Sequence, residues 1–180
     1  MTYSAKETLE RSIRKWLIFF IVALLLSGIT AFPIESELAW ILSWWPEHTS
    51  SFYQWLNTCW QAIRETNAKF PFLAYGYDWL AFAHIVIAIA FIGPLKDPVK
   101  NIWVVQFGII ACLLIIPLAL LAGPVRHIPF FWTMIDCSFG LFGWIPLYIC
   151  LTKIRMLNKL YTSNHGNIEF IKPVSVLQRK

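Results

Sequence analysis

The chain has 180 residues, 58% hydrophobic and 14% charged, with a formal net charge of +5. Soluble domains carry about a quarter charged residues, so this composition excludes an ordinary soluble domain. No basic, aromatic-interleaved patch accompanies the positive charge, which argues against nucleic acid as a partner.

Residues 1–15 form a basic leader with Lys6, Arg11, Arg14 and Lys15. Ser4 and Glu7 have the spacing of a capping box for a short helix feeding the first apolar span, 16–32. Ala31 lies between Thr30 and Phe32, so the small-x-small pattern of signal cleavage is missing and span one is expected to stay attached. Segment 33–77 is not a polar loop. Ser36–Trp45 reads as one helix, with Leu38, Ile41 and Trp45 on one face. A second helix is expected after Thr49 or Ser50, where Phe52, Leu56, Cys59, Trp60 and Ile63 recur at helical spacing. Trp40, Trp44, Trp45, Trp55 and Trp60 crowd this segment, which predicts an aromatic helical lid at the outer membrane–water interface. Such a lid either recognises a ligand or only shields the end of the bundle.

Span two is 78–93, the shortest. A turn at 94–101, bracketed by Pro94 and Pro98, carries Lys96 and Lys100. Span three is 102–122 and span four 128–152, joined by a turn at 123–127 that contains Gly123-Pro124. Spans of this kind approach the roughly 20 residues needed to cross a hydrocarbon core. Pro117 and Pro146 predict kinks in spans three and four. The tail, 153–180, is expected to continue as a short helix and break at Asn164-His-Gly-Asn167. The remainder from Ile168 is then a short strand or disordered.

Twelve of the fifteen Lys and Arg residues fall in 1–15, 94–101 and 153–180; only Arg64, Lys69 and Arg126 lie elsewhere. Positive residues mark the cytoplasmic side, so both termini are expected there. The fold class expected is an all-α integral membrane protein. It has four transmembrane helices and one or two interfacial amphipathic helices in the first outer segment.

Three stretches, Tyr75-Gly-Tyr-Asp-Trp-Leu-Ala-Phe-Ala-His84, Ala122-Gly-Pro-Val-Arg126 and Ile135-Asp-Cys-Ser-Phe-Gly140, resemble a family of small, uncharacterised four-span bacterial integral membrane proteins. The resemblance covers roughly residues 50–155. It implies a bacterial inner-membrane setting and assigns no activity and no site residues.

Ionisable side chains within a bilayer are costly and mark candidate sites. Two fall inside the spans, His84 and Asp136. His84 lies about 8 Å in from Trp79, and Asp136 about 10 Å in from Pro129, at 1.5 Å per residue. Both segments enter from the outer side, so the two depths match. His84 shares a helical face with Ala81 and Ala88, and Asp136 with Gly140 and Gly143, the small residues of close helix approach. Arg126, Tyr77, Asp78, His127, Thr133 and Trp132 are candidate ligand-binding neighbours in an outward-facing polar pocket.

Three readings of the pair compete. One is an interhelical hydrogen bond, which contributes about 0.6 kcal/mol on average. The second is a binding or catalytic pocket with His84 and Asp136 as an acid/base pair. The third is a metal or haem site through His84 and His127, a thin ligand set where three or four are usual. Cys59 and Cys137 are the one pairing that a thiol redox enzyme could use, and no Cys-x-x-Cys occurs. No phosphate-binding glycine loop, zinc-protease helix or serine nucleophile elbow is present.

The expected function is a small binding or accessory protein for a lipid-like or hydrophobic ligand. The alternative is a membrane-embedded enzyme using the His–Asp pair on a lipid-like substrate. No cofactor or metal is expected. The expected partners are membrane lipid and other membrane subunits or a second copy.

Overall fold

The computed structural model describes residues 2–169. Among these the secondary structure is all helical, with short connecting turns and no strand. The elements are α1 (Thr2–Ala31), α2 (Ile34–Trp44), α3 (Ser51–Lys69), a 3-10 turn (Pro71–Ala74), α4 (Tyr75–Ala90), α5 (Ile92–Lys96), α6 (Ile102–Val125) and α7 (Phe130–Glu169). Four helical stretches among the described residues are long and apolar enough to cross a membrane: Ala5–Ala31, Pro71–Lys96, Ile102–Val125 and Phe130–Thr162. At most 28% of each apolar window is buried inside the protein, so their outward faces are apolar and open. In water such a surface would be a severe aggregation liability.

Residues fall into two compact units, 21–90 on one hand and 1–20 with 91–180 on the other. In the second unit, α6 runs along α7. Glycines set their distance. A Cβ on Gly140 would stand 2.6 Å from the backbone oxygen of Cys112, and one on Gly143 would stand 2.8 Å from the Cys112 sulfur. Gly108 opens the same seam from α6, where a Cβ would meet Phe91 at 2.6 Å and Leu147 at 2.8 Å. Small residues let helices approach until backbones touch. The first turns of α1 complete this unit. Ile13 and Leu17 are buried, as are Leu147, Cys150 and Ile154 of α7. Phe20 packs on Phe91 with ring centroids 4.8 Å apart. The Cys150 thiol points to the Ile13 carbonyl, and the Lys153 ammonium bonds the Ser12 hydroxyl.

In unit 21–90, α2 packs on α3. Leu42 and Leu56 are buried, Trp45 stacks on Phe52 and His48 stacks on Tyr53. Ser50 caps α3 by accepting the Tyr53 N–H at 3.2 Å. A Ser N-cap satisfies a backbone donor that the first turn leaves open. Trp40 and Trp44 remain largely exposed.

Several expectations are corrected. Ser4 lies inside α1, which already includes Thr2, so it does not mark the helix start. α2 begins at Ile34, directly after Pro33, rather than at Ser36. No break occurs at Asn164–Asn167, because α7 carries on to Glu169 as one helix of 40 residues. The expected strand or disorder beyond it lies, from residue 170, outside the described residues.

Gly140→Ala should destabilise the protein by about 1–3 kcal/mol, since the facing atom is backbone and cannot swing aside. Gly76→Ala, with nothing within 4 Å of the added carbon, should be neutral or gain roughly 0.5 kcal/mol. Thermal unfolding in detergent compares the two, and equal effects would show that the Cys112 contact does not limit the packing.

Candidate functional site

His84 sits on α4, whose first turn follows directly from the 3-10 turn at Pro71–Ala74. Pro71 enters at the start of that turn, where its missing N–H costs nothing. On α4, Tyr77, Ala81, His84 and Ala88 recur at helical spacing and form one stripe. Ala81 and Ala88 are buried; Tyr77 and His84 are half-buried. The partner of this stripe within unit 21–90 is α1. A Cβ on Gly28 would meet the Ala81 carbonyl oxygen at 2.8 Å, His84 Cβ at 3.1 Å and Ile85 at 3.1 Å. Gly28 therefore brings α1 to backbone distance beside His84.

The imidazole is held in one orientation. His84 Nδ1 lies 2.8 Å from the Leu80 carbonyl oxygen, one turn back. A carbonyl only accepts, so Nδ1 carries the proton in this contact. In the neutral ring Nε2 then holds the lone pair, the atom that a donor ligand or a transferable proton would meet.

At its 3-10 end the stripe is tied down by a polar relay. The Tyr77 hydroxyl donates to Asn67 Oδ1 at 2.7 Å, and Asn67 Nδ2 donates to Glu35 Oε2 at 2.7 Å. Three helices, α2, α3 and α4, are pinned by two short bonds, one of them charge-assisted. Asp78 follows Tyr77 and is half-buried in the first turn of α4. Glu35, Asn67 and Gly28 were not among the sequence candidates. Asn67 and Glu35 are 32 residues apart on different helices, and no helical periodicity links them. The cue for Gly28 was its place beside Ser27 in an otherwise large-residue span, the small-residue signal used for Gly140 and Gly143.

The remaining candidates belong to the other unit. Asp136 is half-buried on α7. Gly140 and Gly143 of its face meet α6 at Cys112 and Ile115. Arg126 closes α6 as an exposed C-cap residue. Arg126 and Asp136 form no ion pair with each other. Asp136 lies six residues into α7, about 9 Å from its start at helical rise. Thr133 is buried against Gly123, and its hydroxyl turns back to the Pro129 carbonyl at 3.4 Å. Trp132 is half-buried in the first turn. His127 stands out by its backbone: its φ is 55°, the left-handed region. Its N–H reaches the Pro124 carbonyl at 3.2 Å, and the Ile128 N–H reaches Gly123 at 2.9 Å. This pair of bonds is the helix-ending motif in which glycine usually occupies the position His127 holds.

No family model, curated protein or solved structure matches this chain. The site is accordingly read from its own chemistry. Among the described residues no three His, Cys, Asp or Glu side chains gather closely enough to hold a metal ion. All four cysteines are free thiols. Burial pushes the Cys59 thiol up, away from the thiolate form that nucleophilic or redox chemistry needs.

Two outcomes follow. In a double-mutant cycle, Tyr77→Phe and Asn67→Ala should couple by about 0.5–1.5 kcal/mol, the net value of one hydrogen bond; additive effects in thermal unfolding would remove the relay from the site. His127→Gly should stabilise the protein by about 1–2 kcal/mol by removing the left-handed penalty, whereas a lower unfolding midpoint would mean that the imidazole makes contacts outweighing its strain.

Proposed function

We propose that this chain is a multi-pass protein of the bacterial inner membrane, with both termini cytoplasmic. On this reading it acts as a binding or accessory protein for a lipid-like or hydrophobic ligand. The four apolar helices support insertion. The concentration of Lys and Arg in 1–15, 94–101 and 153–180 supports the orientation, and the family resemblance supports the bacterial setting. α2 and α3 then lie at the outer interface, where exposed Trp40 and Trp44 suit the headgroup level.

The observation that carries the ligand reading is His84 itself. A polar ring stands where α4 is otherwise apolar from Trp79 to Ala90, with Nδ1 engaged by Leu80 and Nε2 left as an acceptor. An intramembrane ionisable residue is a functional-site hypothesis by default. The surrounding side chains are apolar and aromatic, among them exposed Trp79, Leu80 and Phe82. A ligand with a long apolar body and one hydroxyl or amide donor matches that lining. The same tautomer favours the alternative, an enzyme in which Nε2 is the general base toward a lipid-like substrate.

The test is lipid extraction and mass spectrometry of protein purified from native membranes, wild type beside His84→Ala and Phe82→Ala. Loss of one co-purified species in His84→Ala by about tenfold, with unfolding unchanged, is expected for a single lost polar contact of about 1.4 kcal/mol. An identical lipid profile in all three proteins would sink the ligand reading. Turnover of that species by wild type but not His84→Ala would select the enzyme over the binder.

A further inference from the structure

A second site stands in the unit that holds residues 2–20 and 91–169. There α1, the turn after α5 and the later part of α7 enclose a cleft of about 380 Å³. Glu10 and Arg14 enter from α1, Lys96 from the end of α5, Asp97 and Lys100 from the turn after it, and Tyr161 from α7. Leu95 and Val99 supply an apolar floor.

The two carboxylates of this cleft are already committed. Asp97 accepts the Lys100 backbone N–H at 3.1 Å and lies 3.2 Å from the Lys100 ammonium. The backbone bond first, and the ammonium with it, hold the Asp97 carboxyl below its ordinary range. Glu10 accepts the Tyr161 hydroxyl at 3.2 Å and lies 3.9 Å from the Lys6 ammonium. Lys6 in turn stands over the Tyr161 ring, 4.6 Å from its centroid. Arg14 and Lys96 are different. Neither has a hydrogen bond or ion pair among the described residues. Two cations without partners thus line a concave site whose carboxylates are already engaged by other residues.

The turn after Lys96 is tied back to α5 by hydrogen bonds. Asn101 Nδ2 donates to the Gly93 carbonyl at 3.2 Å and to the Asp97 carbonyl at 3.0 Å, and Pro94 is buried. A fixed backbone lowers the ordering cost of binding. The position along the chain also points to a ligand class. Lys96 ends one apolar stretch and Ile102 begins the next, so the cleft lies where apolar length gives way to polar residues. Basic pockets at such boundaries suit phosphorylated headgroups, and the planar guanidinium of Arg matches phosphate oxygens in a two-pronged contact.

We propose that this cleft binds a phosphate group, with Arg14 and Lys96 donating directly to its oxygens. The phosphate belongs either to an anionic phospholipid or to a soluble phosphoester, and both present the same oxygens to the site.

Full-length protein in neutral detergent is probed with phosphatidylglycerol against phosphatidylcholine by native mass spectrometry, and with inorganic phosphate by calorimetry. R14Q/K96Q is compared with R11Q/K15Q, which removes equal charge from exposed positions of α1 outside the cleft. R14Q/K96Q should lower retention of the phosphate-bearing probe by about tenfold or more, given the contribution of each basic residue at an anionic surface. R11Q/K15Q should leave retention within about twofold, and R14K/K96R should restore most of it. Loss confined to phosphatidylglycerol assigns the lipid source; loss confined to inorganic phosphate assigns the soluble one. Equal loss in both double variants, or no loss with either probe, overturns the proposal. K96Q alone, at an exposed position, serves if R14Q/K96Q does not fold.

Discussion

Gly140 and Gly143 bring α7 against Cys112 of α6 at a distance that no side chain could occupy. Apolar helices surrounded by apolar solvent gain little from hiding hydrophobic surface from water, so their association depends on close packing and a few polar contacts. The glycine seam provides that packing for one unit. Phe91, Leu147 and Gly108 extend it, and the buried start of α1 closes it along α7. Without the seam the long apolar helices would have no reason to take one particular arrangement.

Unit 21–90 uses the same device at Gly28 and adds polar ties. Gly28 meets the α4 stripe at Ala81 and His84, and the Tyr77–Asn67–Glu35 relay fixes the beginning of α4 to α2 and α3. His84 is thereby held at its own turn and through the turns before it. Its ring is oriented by Leu80, its backbone neighbours are pressed by α1, and its stripe is anchored two turns earlier by Tyr77. The basic cleft at Arg14 and Lys96 differs in that its carboxylates are already paired while, among the described residues, these two cations are not.

The apolar helices, the chain segments between them and the glycines of α7 were legible because they are local properties of sequence. A run of apolar residues, a Ser N-cap at Ser50 and a Gly-x-x-Gly spacing each speak within one helix. Legibility failed where the decisive contact joins distant residues. Thr133 is buried against Gly123, a contact between α7 and α6 that no helical period announces. Asn164–Asn167 read as a break, yet α7 continues through it to Glu169. Local propensity against helix is worth less than 1 kcal/mol per residue and is readily outweighed.

By itself the sequence determined the all-helical class, four stretches long and apolar enough to cross a membrane, and the lopsided placement of positive charge. Those follow from composition and period, which need no knowledge of neighbours. The tertiary structure alone decided that Gly28 faces His84, that Tyr77 is spent on Asn67, that Arg126 leaves Asp136 unpaired with it, and that Arg14 and Lys96 share a cleft. Each is a meeting of side chains far apart in sequence, and helical periodicity specifies a face without naming what it meets.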